Sequence, residues 1–326
     1  MGKARAFQFV AVVTAIQLGA SGSALGAPAP PTVRVFADTG IALTDILWTG
    51  KRFLYVENTA NTVWSAPPAG TPLTRFASMP KQVEETRCRL SPGAHGFAKG
   101  DIYCHAPDGT IYRIGEDGST VAVFAKLPSQ TTADGALAFD TVGRFGYRLI
   151  AATGRSGAGQ APGGTVYAIG PTGAVRTIGT YPGPGGADEI AVTPRRFGTA
   201  SGWLALTVDA GDRGAIVMMD PRGRTRQIAS LPDGPNPIAA VTARAHQRRP
   251  SSPPAGFYVT DTASHKVFLI PAAQLAQYAG DLIVGSELKA LFWVVRPKGR
   301  GFQTLLVPTS FPAGTYNLEG ATYVAG

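Results

Sequence analysis

Asp188-Glu189-Ile190-Ala191-Val192, followed by the apolar runs Trp203 to Val208 and Ala215 to Met218 and then by Thr225 to Ala229, is the stretch that decides the fold. Each run has the length of a β-strand. The gaps between runs hold Gly, Pro and Asp, which is turn chemistry rather than helix capping. The same order stands three times upstream. Thr44-Asp45-Ile46-Leu47-Trp48 leads to Phe53-Leu54-Tyr55-Val56, Thr62-Val63-Trp64 and Leu73 to Phe76. Glu84-Glu85 leads through Cys88 to Asp101-Ile102-Tyr103-Cys104, Gly109 to Tyr112 and Thr120 to Phe124. Asp134-Gly135-Ala136-Leu137-Ala138-Phe139 leads to Tyr147 to Ala151, Gly164 to Tyr167 and Ala174 to Ile178.

Units of about 40 to 55 residues with four strands each have the size of a propeller blade. A fifth unit opens at Asn236-Pro237-Ile238-Ala239-Ala240 and continues through Phe257 to Val259 and Val267 to Ile270. Strand-like runs follow at Asp281 to Gly285, Leu291 to Val295 and Phe302 to Leu306, and Glu319-Gly320-Ala321-Thr322-Tyr323 ends the chain as an opening strand with nothing after it. A late strand of this kind completes a blade begun earlier and removes the exposed edges of an open ring. The expectation is an all-β chain, a single β-propeller of about six four-stranded blades over residues 33–326. One short helix is expected, Pro271 to Tyr278, with Pro in its first turn and Gly280 beyond its end. The 41 Gly and 26 Pro among 326 residues, beside a hydrophobic fraction of 44%, fit many strands joined by tight turns; a disordered chain lacks the apolar share.

Lys3 and Arg5 precede the apolar run Phe7 to Leu18 and the small residues Gly19 to Ala27, the order of a secretory signal peptide over residues 1–26. Residues 27–32 form a Pro-rich spacer. No later segment has about 18 uninterrupted apolar residues, so no transmembrane span is expected, and the mature chain is placed outside the cell or in a periplasm as a monomer. In that oxidising setting the two cysteines, Cys88 and Cys104, are expected to form a disulfide joining the first strand of the second unit to its neighbour. The net charge is +9. Its arginines cluster beside Gly and Pro without interleaved aromatics, which reads as solvated loop charge and not as a nucleic-acid surface; adhesion to anionic envelope polymers stays open.

The openings of the inner strands converge at one end of a propeller's channel. Here they are Thr44 or Asp45, Glu84 or Glu85, Asp134, Asp188 or Glu189, Asn236 and Glu319. So many carboxylates repel one another, and a hard cation relieves that: calcium takes oxygen ligands gathered from several strands. The plainer alternative is that these residues cap strand ends around a water-filled channel. Four histidines, His95, His105, His246 and His265, lack metal-ligand spacing, and His105 reads as a turn histidine.

The openings Asp134-Gly135, Pro235-Asn236-Pro237 and Glu319-Gly320, together with Tyr258-Val259-Thr260-Asp261, resemble the six-bladed propellers of the senescence marker protein and gluconolactonase group and, more distantly, paraoxonases and strictosidine synthases. The resemblance implies a central calcium held by Glu319, Asn236 and Asp134 and hydrolysis of a lactone or ester; the ring of strand openings adds Asp188 as a further candidate metal ligand. In that reading Glu189 or Glu85 is the general base toward water at a metal-polarised carbonyl. Pro237 stands where the group carries glycine, and the Glu-Gly opening lies at the end of the chain instead of in the first blade. The competing reading is a binding module without chemistry, recognising an anionic polymer or a protein through the Arg-bearing loops Thr193 to Ser201 and Ala243 to Gly256.

Overall fold

The computed structural model describes residues 30–81, 85–128, 135–154, 163–210, 213–242, 252–314 and 316–325. Its first strand, β1 (Arg34–Asp38), pairs with nothing near it in sequence. Four antiparallel meanders follow. Blade 1 is β2 (Leu43–Trp48), β3 (Phe53–Glu57), β4 (Thr62–Ala66) and β5 (Thr74–Ser78). Blade 2 is β6 (Arg87–Leu90), β7 (Ile102–His105), β8 (Thr110–Ile114) and β9 (Val121–Lys126). Blade 3 is β10 (Leu137–Phe139), β11 (Leu149–Gly154), β12 (Gly164–Ile169) and β13 (Val175–Tyr181). Blade 4 is β14 (Gly186–Val192), β15 (Leu204–Asp209), β16 (Gly214–Met219) and β17 (Thr225–Leu231).

The last two blades are interleaved, which corrects the fifth sequence unit. β18 (Pro235–Ala240) is the inner strand of blade 5. The chain then crosses to the next blade and lays down β19 (Gly256–Asp261) and β20 (Lys266–Pro271) there. Helix α1 (Ala272–Leu275) and a 3-10 turn, Ala276–Tyr278, bring it back. β21 (Leu282–Ser286), β22 (Phe292–Lys298) and β23 (Gly301–Val307) complete blade 5. β24 (Leu318–Val324) finally enters as the inner strand of blade 6, whose order is β24-β19-β20-β1. Both the earliest and the latest strand therefore close the ring. The close approach of β24 to β2 requires a glycine: a Cβ on Gly320 would stand 2.5 Å from Cα of Asp45.

Burial explains why the ring holds. Six apolar clusters fill the six seams between blades. At the seam of blades 3 and 4, Ile150, Val166, Leu206 and Val217 have no exposed surface, and each such side chain contributes about 1.5–3 kcal/mol of transfer free energy. At the closing seam the work falls to aromatics, with Phe53 and Tyr258 at 5.0 Å between ring centroids and Phe36 edge-on to both.

All inner strands run the same way, so their openings gather at one end of the channel and their later residues, such as Leu47, Phe139 and Val192, line a pocket at the other. Antiparallel alternation then puts the turns after each first strand, and those between third and fourth strands, at that second end. We call it the turn face.

Candidate functional site

The opening end of the channel is polar because the strands bulge there. Pairing register slips between Leu43 and Asp45 in β2, between Ala187 and Glu189 in β14, between Pro235 and Ile238 in β18, and between Leu318 and Ala321 in β24. A bulge breaks the strict alternation of faces and re-aims side chains. Thr44, Asp45, Asp188, Glu189, Asn236 and Glu319 are all buried as a result.

What gathers these oxygens is an arginine. Arg87, without exposed surface, opens β6, and its guanidinium lies among the other inner strands. Nη1 donates to the Thr44 carbonyl and, at 2.7 Å, to Thr44 Oγ1. Nη2 donates to Asn236 Oδ1 at 3.0 Å and Glu319 Oε2 at 2.7 Å, and Nε stands 3.8 Å from Glu189 Oε1. Asn236 Nδ2 donates to the same Glu319 oxygen at 2.7 Å, and Asn317 Nδ2 to Glu319 Oε1 at 3.2 Å. A second guanidinium follows two residues on: Arg89 Nη1 donates to Asp45 Oδ2 at 2.9 Å, and Nη2 pairs with Glu189 Oε2. The period-2 alternation of a strand explains the arrangement: Arg87 and Arg89 share the channel side of β6 while Cys88 between them points away and bonds to Cys104, its cross-strand neighbour on β7. Asp45 Oδ2 also accepts the Cys88 backbone N–H at 2.7 Å, so the bridge fastens the strand that carries both cations.

The expected site residues divide accordingly. Glu319, Asn236 and Glu189 come together at the axis. Asp188 is buried within the β14 bulge. Glu85 is half-buried ahead of β6, at φ 52°, where its backbone N–H donates to the Asn58 carbonyl; Asp134 lies outside the described residues. As arranged, these residues do not fit a calcium ion. The oxygens of Glu319, Asn236 and Thr44 that would ligate it are turned onto the Arg87 guanidinium, and among the described residues no three His, Cys, Asp or Glu side chains are grouped to hold a metal. Burial raises the Glu189 carboxyl to about 7 in spite of the neighbouring arginines, and the nearby Asp45 adds to the rise. His105 is not a turn residue: it is the buried end of β7, in register with Arg87, with Nδ1 3.1 Å from the Ala136 carbonyl. Burial lowers it to about 4.

Beyond Arg89 the channel changes character. A pocket of about 250 Å³ opens onto the turn face between Leu47, Phe139, Val192, Ala240 and Tyr323, with Arg89 as its charged residue.

No protein-family model matches the chain, and no curated protein matches it. Among solved structures it is similar to a chain of a nidogen/laminin complex, with a TM-score of 0.52 and 11% identity over 86% of this chain and 83% of that one. It is also similar to a protein of unknown function from Bacteroides caccae, TM-score 0.44 and 10% identity over 78% and 73%, and to a protein from Lactobacillus plantarum, TM-score 0.44 and 11% identity over 84% and 71%. At that identity the nidogen/laminin likeness bears on the fold alone, and the fold is the six-bladed propeller. The resemblance to the gluconolactonase group thus rests on the blade openings.

Arg87 and Arg89 are the residues that sequence reasoning missed. Their signal was present in Thr86-Arg87-Cys88-Arg89-Leu90: with Cys88 committed to the neighbouring strand, both arginines must share the opposite face of an inner strand.

Proposed function

We propose that the protein is an exported, non-catalytic binding module whose turn face recognises an acidic polysaccharide. The observation that carries this is where the cations go. The axis is neutralised from within by Arg87 and Arg89, while exposed arginines and lysines from four blades gather on the turn face: Lys51 and Arg52 on blade 1, Arg144 on blade 3, Arg195 and Arg196 on blade 4, Lys298 and Arg300 on blade 5. The carboxylates Asp45, Glu189 and Glu319 sit at the far end of the channel. A face on which cations outnumber carboxylates draws an extended polyanion, through a field that salt weakens. Of the two loops singled out in the sequence, Thr193 to Ser201 follows β14 on this face, and residues 243–251 of the other lie outside the described residues. The propeller of similar fold comes from a complex with laminin, a setting in which a chain of this kind accompanies a partner.

A lactone or ester hydrolase is the competing reading. Glu189, at about 7, has the proton affinity of a general base, but it is wholly buried and held by Arg89, so a substrate would have to displace an ion pair to reach it.

The test is retention of the mature protein on immobilised polygalacturonate against neutral dextran, with rising salt, and a lactone panel run on the same preparation. Selective retention that salt abolishes, and that the double reversal Arg195→Glu with Arg196→Glu weakens several-fold, is expected. Equal behaviour on both resins, or lactone turnover that calcium restores after EDTA, overturns the reading.

A further inference from the structure

A cavity on the turn face stands apart from the axis. It lies between blades 1 and 2, has a volume of about 310 Å³, and is bounded by the turn after β2, the turn after β6, and the β8–β9 turn. That volume is within the range of small-molecule sites. Its inner wall is apolar, from Leu54, Leu90 and Ile102, with Phe76 beside them. Cations stand at its rim. Arg52 lies over the Phe76 ring at 5.8 Å, and Lys99 is exposed and makes no ion pair or hydrogen bond among the described residues. Lys51 meets Glu116 at 3.4 Å with both side chains in water, a pairing of little strength. At the bottom Ser91, 5% exposed, accepts the Gly93 backbone N–H at 3.1 Å and keeps its own hydroxyl proton to give.

We infer that this cleft is a subsite for a single uronate unit: Lys99, Arg52 and the Ser91 hydroxyl take the carboxylate, the sugar's CH face lies on the apolar wall, and Glu116 accepts from a ring hydroxyl. This deepens the reading of the turn face as a polysaccharide surface and rests on it. The chemistry follows from the mixture. Three cations with an apolar wall suit a ring that carries one acid group, and Glu116 sets a limit on charge: it opposes a doubly charged phosphate and offers an acceptor that a hydroxylated ring can use. Glu116 is free to lean across because Gly100 lies beneath it; a Cβ there, at φ +84°, would meet Glu116 Cγ at 2.6 Å. The cleft is separate from the channel-mouth pocket, which holds Arg89 but no lysine.

The experiment uses the full mature chain and two probes, a galacturonate trisaccharide and its methyl ester, titrated by calorimetry, with polygalacturonate retention run in parallel. The acid is expected to bind and the uncharged ester to bind about tenfold or more weaker, the loss that follows from one charge-assisted hydrogen bond. Lys99→Ala, an exposed change that leaves folding intact, is expected to cost the acid a similar factor; Ser91→Ala is the second variant. Equal affinity for acid and ester, unchanged affinity in both variants, or no trisaccharide binding by a protein that polygalacturonate retains each overturns the subsite and leaves the wider face standing. Loss of retention on polygalacturonate itself would instead remove the polysaccharide reading.

Discussion

Arg87 and Arg195 are the same side chain in opposite surroundings. Arg87 has no exposed surface and binds oxygens from blades 1, 5 and 6 beside the Glu189 carboxylate of blade 4. Arg195 stands in solvent on the turn after β14 and has no carboxylate partner among the described residues. In water a guanidinium is well solvated and one ion pair changes little. At the axis it must replace its whole hydration shell with protein oxygens, and those oxygens depend equally on it. The difference teaches that burial, not residue type, decides whether an arginine of this protein holds the ring together or is left for a partner.

The largest expected effect breaks the comparison at its buried end. Removing one member of a buried charge group typically costs about 3–5 kcal/mol, because the others are left desolvated and unpaired. Arg87→Ala should lose stability of that order in denaturant unfolding, while Arg195→Ala stays within about 0.5 kcal/mol of wild type. The vacated oxygens of Glu319, Asn236 and Thr44 would then suit a hard cation. Calcium should raise the melting midpoint of Arg87→Ala, whereas neither calcium nor EDTA should shift wild type. A mild effect of Arg87→Ala, or a calcium response of the wild-type protein, would sink the account of the axis.

The disulfide comes next. It closes a loop of separation 16, for which chain entropy gives about 3 kcal/mol. Because it also fastens β6, the Cys88→Ala and Cys104→Ala pair should cost less in an Arg87→Ala background than in wild type, a coupling readable from a double-mutant cycle. Strict additivity would separate the bridge from the buried cations.

The same strand shows how far the sequence could be read. Blade pattern, closing strand and cysteine partner were legible, since each depends on period-2 alternation and turn residues within one short span. The polar ring was legible only in part. Choosing Glu84-Glu85 as the opening of blade 2 followed the sign of its neighbours, yet β6 begins at Arg87, and the ring is completed by opposite charge. The bulges at Thr44 and Asp188 shift facing by one residue, which no local pattern announces. The interleaving of blades 5 and 6 was hidden for another reason: β19 and β20 carry the apolar alternation of any blade strand, and their flanking partners, β24 and β1, come from the two far ends of the described chain.

The smallest expected effect is a net one, because two buried groups oppose each other. Glu189 titrates near 7 in the folded chain, against 4.5 in its unperturbed state. The native state therefore holds a proton that the unfolded chain releases, and the stability Glu189 contributes is full at low pH and lost as pH rises through 7. His105, near 4 against 6.5, acts in the reverse sense. Its stability is full above 6.5 and lost as pH falls through 4, because the unfolded chain binds the proton first. Between about 4.5 and 6.5 the two slopes have opposite sign, so wild-type stability should be nearly level there. Unfolding midpoints at half-unit steps of pH separate them. His105→Gln should expose a fall in stability toward neutral pH from Glu189 alone, and Glu189→Gln a rise from His105 alone. A level profile in His105→Gln would mean that Glu189 is ionised throughout, as an arginine-paired carboxylate in water would be, and that burial at the axis is weaker than the geometry of Arg87 requires.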